Sequence, residues 1–255
     1  MARLHRQDLK HDDFVDSMDS LELWLEDNLR LLVAFALAGA LTAGALGGYW
    51  WYAGGQETRA QTALGNALIT LSRPVQEGLP ALNVPGTART FASETDRYRA
   101  ARDEFAAVRA DFPRTRAARL AKHYEALCDF HLGETGKAVA ALEELARAAD
   151  PNLSSLASFH LAGFYQALGR RSDAEKIYRR LADHPTELVP RPMALVALAD
   201  IESASNPMAA RQLLEQVKAE FPDGPVAEEI SRRLDLLPAP PNAPPAAPQP
   251  APAQP

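Results

Sequence analysis

The fold of this chain is decided by residues 155–188, which read SLASFHLAGFYQALGRRSDAEKIYRRLADHPTEL. Apolar residues recur in this stretch at intervals of three and four, the spacing that places them on one face of a helix. Gly169 interrupts the pattern and Pro185 ends it, because glycine favours a turn and proline cannot continue a helix. The stretch therefore predicts two helices packed together across one turn.

The same pattern recurs along the chain at intervals of about 36 residues. Gly133, Ala138, Leu142 and Leu145 reappear 36 residues later as Gly169, Ala174, Tyr178 and Leu181, and RADFP at 109–113 is matched by KAEFP at 218–222. One helix pair cannot bury its apolar face alone, so repeats of this length stack into a solenoid. With apolar residues mostly Ala and Leu and no alternating β-branched runs, the sequence predicts an all-α fold.

These positions resemble the tetratricopeptide repeat. Leu161, Ala162 and Tyr165 stand where that family has helix A residues, and Ala174, Tyr178 and Leu181 stand where it has helix B residues. The register predicts an irregular first unit with helices near 57–72 and 93–111, further units at 119–152, 155–188 and 191–222, and a capping helix that ends at Leu237. Asp129 replaces the expected tyrosine of the second unit, and a Pro/Gly-punctuated loop at 74–90 separates the two helices of the first.

An uncharged run from Leu31 to Gln56 precedes the repeats, and its first 22 residues read LLVAFALAGALTAGALGGYWWY. A helix of that length spans roughly 33 Å, which matches a bilayer core of about 30 Å. The aromatic cluster at 49–52 is typical of a membrane interface. A cleaved signal peptide is the alternative, since two AGA triplets would suit cleavage, but the acidic leader and the length of the run favour an anchor.

Charge and flanking segments complete the predicted organisation. Residues 1–30 carry four basic and eight acidic side chains within a chain of net charge −6, which argues against nucleic acid as a partner. Cys128 is the single cysteine, so no intrachain disulfide forms. Nine of the last 18 residues are proline and none is charged, which predicts an unpacked tail. The predicted segments are an acidic tail (1–30), a transmembrane helix (31–54), the repeat domain with its capping helix (55–237) and a Pro-rich disordered tail (238–255).

This order of segments resembles the bacterial ancillary SecYEG translocon subunit family, over about residues 30–235. The resemblance implies a single-pass inner-membrane protein with a cytoplasmic N-terminus, periplasmic repeats, and partners among the export channel, periplasmic chaperones and exported clients. The acidic tail and the Pro-rich end depart from the enterobacterial pattern. Charge alone does not orient the span, because Arg30 flanks one side while Arg59 and Arg73 flank the other. The reverse orientation would place the repeats in the cytoplasm.

No pattern in the sequence predicts catalysis, a cofactor or a metal. The GETGK segment at 133–137 is similar to a phosphate-binding loop, but it lacks the upstream glycine and is followed by Ala138 where Ser or Thr would hold magnesium. His123, Cys128 and His131 lie close in sequence, but on one helix they do not share a face. We therefore expect a non-enzymatic chain.

A binding surface is the more plausible site. Family register places the following residues on the concave helix A face: Leu120, His123, Leu127, Phe130, His131, Leu156, Phe159, Gly163, Gln166, Leu195, Ala199 and Glu202. This mixture suits an extended chain or a partner helix, although Leu127 and Leu195 are equally compatible with core between repeats. In the span, Ala36, Ala40, Gly44 and Gly48 form a small-residue stripe that suits close approach of another helix. In the tail, Phe14, Met18, Leu21 and Leu25 form an apolar stripe among acidic residues.

Two functions fit these features. The first is a membrane-anchored protein–protein interaction module on the periplasmic face that assists export, folding or assembly of envelope proteins, as a translocon-associated or chaperone-like factor. The alternative is a structural scaffold of a cell-envelope or division complex, with the Pro-rich tail reaching outward.

Overall fold

The computed structural model describes residues 12–76, 90–222 and 225–238 of the chain. Within these ranges the helices are α1 (Asp12–Ser72), α2 (Glu94–Asp111), α3 (Arg116–His131), α4 (Thr135–Leu145), α5 (Pro151–Ala167), α6 (Arg171–Asp183), α7 (Arg191–Ser203), α8 (Pro207–Glu220) and α9 (Pro225–Leu236). The contacts divide the chain into an N-terminal unit up to Thr58 and a repeat unit from Arg59 onward. The Pro-rich segment 239–255 lies outside the described residues.

The described part of the N-terminal unit is helical, and from residue 28 onward its described apolar side chains are mostly exposed. Asn28–Ser72 is long and apolar enough to cross a membrane by length and composition; its most apolar stretch has a mean hydropathy of 1.9 and is 0% buried. Thr42 donates its hydroxyl to the carbonyls of Ala38 and Gly39, both at 2.9 Å, which satisfies its polar group within the helix. The described part of this unit therefore has an apolar surface, and the Thr42 hydroxyl within it is hydrogen-bonded without water.

Two predicted stripes fall in this unit. The small residues of the first stripe, Ala36, Ala40, Gly44 and Gly48, are all exposed. A Cβ added at Gly44 or Gly48 would meet no atom within 4 Å. The helical contact that we expect there stays a prediction. The acidic-tail stripe at 14–25 has a helical backbone, but its side chains lie outside the described residues.

The repeat unit is a row of helix pairs. Residues 59–72 of α1 pair with α2, and α3 with α4, α5 with α6 and α7 with α8 follow as A and B helices, with α9 beyond them. The predicted fold class is thereby confirmed: one apolar N-terminal helix followed by an all-α solenoid of tetratricopeptide type.

Three rows of buried side chains, one residue per unit, hold the B helices against the A helices. The first row is all alanine and the others are larger: Ala138, Ala174 and Ala210; Leu142, Tyr178 and Leu214; Leu145, Leu181 and Val217. Every member is buried, and the three alanines are fully so. Small side chains allow the two helix axes to approach, and the larger ones fill the space beside them.

Local sequence signals set the helix starts. The side chains of Ser93, Thr115, Asp150 and Asn206 each accept a hydrogen bond from a backbone N–H in the first turn of the following helix. Pro151 and Pro207 occupy the first helical position, where a missing N–H costs nothing. Such caps are each worth about 1 kcal/mol, so the local sequence stabilises the starts of these four helices.

In the second unit, Asp129 stands at the position where the repeat pattern has tyrosine, and it makes a different contact there. Its side chain is buried and forms an ion pair with Lys137 at 3.2 Å, whereas Tyr165, 36 residues later, donates its hydroxyl to Glu143 at 2.6 Å. Lys137 belongs to the GETGK segment, whose Gly133 and Glu134 lie in the α3–α4 turn and whose last three residues begin α4. In the first unit, Val75 and Phe91 form a parallel β-bridge, which joins the two ends of the long loop.

Gly133 and Gly169 are required by the turns inside the second and third units. Their φ values are +88° and +76°, in the left-handed region that side chains with a Cβ avoid. We predict that Gly169→Ala destabilises the chain by about 1 kcal/mol. Backbone strain is the source of this cost, because an added Cβ would meet no atom within 4 Å and so would not clash.

The matched control is Gly136→Ala, in the first turn of α4, where a Cβ also meets open space but φ is negative. Its free energy of unfolding should stay the same or rise slightly. Urea denaturation of the two full-length variants measures both effects. Equal stability of the two variants would contradict the role assigned to Gly169.

Candidate protein-binding surface

The helix A face comprises the surfaces of α3, α5 and α7 that carry the twelve predicted contact residues. The structure separates these residues into three groups. His131 and Gln166 are exposed; Leu120, Leu127, Phe130, Leu156, Phe159, Gly163 and Glu202 are half-buried; His123, Leu195 and Ala199 are buried.

The three buried residues correct part of the prediction. His123 is 1% exposed, Leu195 5% and Ala199 2%, so their side chains cannot reach a partner while the helices stay packed. They lie in the core because neighbouring helices cover α3 and α7 on more than one side, and these three residues are on the covered sides. The alternative reading of Leu195 as core between repeats is therefore the one that fits.

On α3 the predicted residues pack mainly against their neighbours. Leu120, Leu127 and Phe130 are half-buried against the core. Phe130 stacks on Phe164 of α5 with ring centroids 3.8 Å apart. His131 is exposed at its edge but stacks on Tyr98 at 4.3 Å. This end of the helix A face is mostly occupied by its own aromatic contacts.

Glu202 is also engaged within the chain. Its carboxylate pairs with Arg171 at 3.2 Å and lies 3.6 Å from Arg179, both on α6. Because both cations come from the adjacent helix, Glu202 ties α6 to α7 and its charge is already balanced. Its predicted contact with a partner is thus in competition with an internal ion pair.

An apolar groove opens where α5, α7 and α9 meet. We call it the α5–α7–α9 groove, and its volume is about 550 Å³. Its apolar lining consists of Phe159, Pro190, Pro192, Met193, Val196, Ala197 and Ile230. Met193 is 38% exposed, so the groove is open to solvent at that point. Among the twelve predicted residues, Phe159 is the one that lines this groove.

Charged side chains form the edge of the groove and neutralise one another. Arg233 of α9 forms an ion pair with Asp200 of α7 and a second one with Glu229 at 2.9 Å. Glu229 also pairs with Arg232 at 2.7 Å, and its cationic neighbours lower its pKa. The edge therefore presents two carboxylates and two guanidinium groups, with no unbalanced charge.

Sequence reasoning missed the α7 residues of the groove. It placed Leu195, Ala199 and Glu202 on the open side, whereas Met193, Val196 and Asp200 lie there. The segment ALVALA at 194–199 is apolar on every side, so periodicity could not show which side faces out. The signal that could have found it is Asp200, a charged residue four positions after Val196 and seven after Met193.

A pair of histidines, one buried and one half-buried, links α3 to α5. The His123 and His160 rings are 4.9 Å apart and meet edge to face, and neither ring nitrogen of His123 has a hydrogen-bond partner among the described residues. Burial, with a smaller contribution from His160, lowers the pKa of His123 to about 3, and burial also lowers the pKa of His160. Both imidazoles are therefore neutral at physiological pH.

The Cys128 thiol and the possible metal-binding side chains were the other candidates for chemistry. Burial raises the pKa of the Cys128 thiol to about 12, so it is protonated at neutral pH. In residues 12–76, 90–222 and 225–238, no three His, Cys, Asp or Glu side chains are grouped as metal ligands. Among the sites described here, the groove is the one with an open apolar lining suited to a ligand.

Comparison with known proteins finds no family model and no curated protein that matches the chain. Two solved structures are similar: nearly identical TPR-like repeats of a Podosopora anserina protein described as a putative kinesin light chain, and a single-substitution variant of the same repeats. Each is 18% identical over 70% of this chain and 84% of its own, with TM-scores of 0.48 for the first and 0.49 for the variant. At these low values the assignment of the fold rests on the helix pairs and buried rows described above.

The histidine pair generates a prediction about pH. Below pH 6.5 the unfolded imidazole of His123 binds a proton that the folded one, with a pKa of about 3, does not bind. Stability is therefore lost as pH falls from 6.5 towards 3. We predict that His123→Phe, which keeps a ring at this site, loses about 2 kcal/mol less between pH 7 and pH 5 than the unmodified chain.

Urea denaturation of the full chain at the two pH values measures this difference. A His123→Phe variant with an unchanged pH dependence would show that His123 titrates normally.

Proposed function

We propose that this chain is a membrane-anchored protein-binding module whose repeat unit faces the periplasm and assists export, folding or assembly of envelope proteins, as a translocon-associated or chaperone-like factor. The observation that carries the proposal is the α5–α7–α9 groove. The groove has a volume of about 550 Å³ and an apolar lining supplied by three neighbouring helices. The apolar rows of the B helices, by contrast, are buried.

The chemistry of the groove favours a polypeptide ligand. Its lining offers apolar contacts from Phe159, Met193 and Ile230, and no side chain in it is placed as a nucleophile or acid–base pair. Exposed apolar grooves between helices accept amphipathic helices or extended segments through a few large side chains. Partners that expose such side chains include proteins that have not completed folding.

The membrane part of the proposal is supported by the N-terminal unit. Large side chains such as Phe35 (72% exposed) and Leu41 (74% exposed) have no protein cover there, which water would disfavour and lipid would not. Tyr49, Trp50, Trp51 and Tyr52 are exposed at one end of this surface, as an interfacial belt requires. The orientation comes from the resemblance to the ancillary translocon subunits.

A topology reporter tests the location. We predict that a fusion after Leu237 gives a periplasmic signal, because one span with a cytoplasmic N-terminus leaves every later residue outside the cytoplasm. A reporter fused to the N-terminus of the full-length chain is the matched control and should report the cytoplasm. The opposite pair of signals would place the repeats in the cytoplasm and overturn the localisation and the partner class together.

Crosslinking in cells tests the surface. We predict that a photo-crosslinking residue in place of Met193 traps export-channel subunits, periplasmic chaperones or exported clients, because the groove holds them there. The matched position is Met208 on α8, which is also 38% exposed but lies outside the groove. Recovery of cytoplasmic proteins alone, or equal capture at Met193 and Met208, would argue against the proposed function.

A further inference from the structure

A second cleft adjoins the groove at the C-terminal end of the described chain. This C-terminal cleft has a volume of about 420 Å³ and is lined by Ser203, Ala204, Pro207, Leu237 and Pro238 among others. It shares Asp200 and Arg233 with the α5–α7–α9 groove. The two depressions are therefore neighbours, separated by one ion pair at the surface.

The described chain ends inside this cleft. Arg211 of α8 donates to the carbonyls of Leu234, Leu237 and Pro238 at 2.9, 3.0 and 3.2 Å. These bonds hold the end of α9 and the first proline of the C-terminal segment. The next 17 residues (239–255) therefore start from a fixed point beside the groove.

The composition of that segment suits the groove. Residues 239–255 read APPNAPPAAPQPAPAQP and carry no charged side chain. The edge of the groove has its own charges paired, so an incoming charge would lose its water without gaining a partner. A neutral, proline-rich segment avoids that cost. It also loses little conformational entropy on binding, because its backbone is already restricted.

Length and attachment favour occupation by this segment. At about 3.1 Å per residue, 17 residues reach roughly 50 Å, more than the adjoining groove requires. A tether of this size gives an effective concentration on the order of millimolar. Even a weak intrinsic affinity, about millimolar, then keeps the groove occupied about half of the time.

We propose that residues 239–255 occupy the α5–α7–α9 groove of their own chain, which they reach from Pro238 across the Asp200–Arg233 pair. A protein partner of the groove then binds by displacing this segment. The occupation itself does not depend on the proposed function, because it needs only the groove and the tether.

Photo-crosslinking in the purified full-length chain tests the proposal. A crosslinking residue at Met193 should join to residues 239–255 of the same chain at least about tenfold more than one at Glu228, given the raised local concentration at a real site. Glu228 is exposed on α9 and lies ten residues before Pro238, so it has similar access to the segment without lining the groove. Mass spectrometry identifies the joined peptides.

Charge placed in the segment provides the second arm. Ala246→Asp with Ala247→Asp should lower the Met193 crosslink about tenfold, because buried carboxylates lack partners there, whereas Ala246→Ser with Ala247→Ser should preserve it. The proposal is overturned by equal crosslinks at Met193 and Glu228, by crosslinks that join two chains, or by indifference to the Asp pair. Envelope partners trapped in cells without any crosslink to the segment would overturn this inference and leave the proposed function standing.

Discussion

The close approach of helices A and B at one alanine per unit is the constraint on which the rest of the repeat unit depends. Ala138, Ala174 and Ala210 are fully buried and stand 36 residues apart, so the A and B helices of each unit pack together at the equivalent residue. A larger side chain at one of them would force the helices apart, at a typical cost of about 1–3 kcal/mol. The A helices are consequently held side by side, and the groove between α5, α7 and α9 exists because of that spacing.

Sequence periodicity predicted the fold well and the exposed side of α7 poorly, for one physical reason. The B helices are amphipathic, so a polar side tells which side is buried, and the helix B residues Ala174, Tyr178 and Leu181 are all buried. Helix α7 is apolar around most of its circumference, so the same reasoning assigned Leu195 and Ala199 to the wrong side. Neighbouring helices decide that question, and a single sequence does not contain their positions.

Arg233 balances part of the charge at the edge of the groove. It pairs with both Asp200 and Glu229, Arg232 is the second cation beside Glu229, and both arginines lie on α9, the helix beyond the helix pairs. Without Arg233 the edge would carry a net negative charge, which would draw cationic segments towards the groove and disfavour acidic ones. With it, selection rests on apolar contact, which discriminates between side chains by size and exposure rather than by charge. The capping helix thus shapes the specificity of the surface as well as closing the core.

A groove occupied by its own chain sets a threshold for every partner. If the tethered segment is present at about millimolar effective concentration and binds with a dissociation constant of the same order, it weakens a competitor about twofold. A tighter segment raises the threshold in proportion. The membrane anchoring that we propose would work in the opposite direction, because partners confined to the same membrane would also gain local concentration. Under both proposals, partners that are exposed, apolar and close to the membrane are favoured over equally apolar proteins in solution.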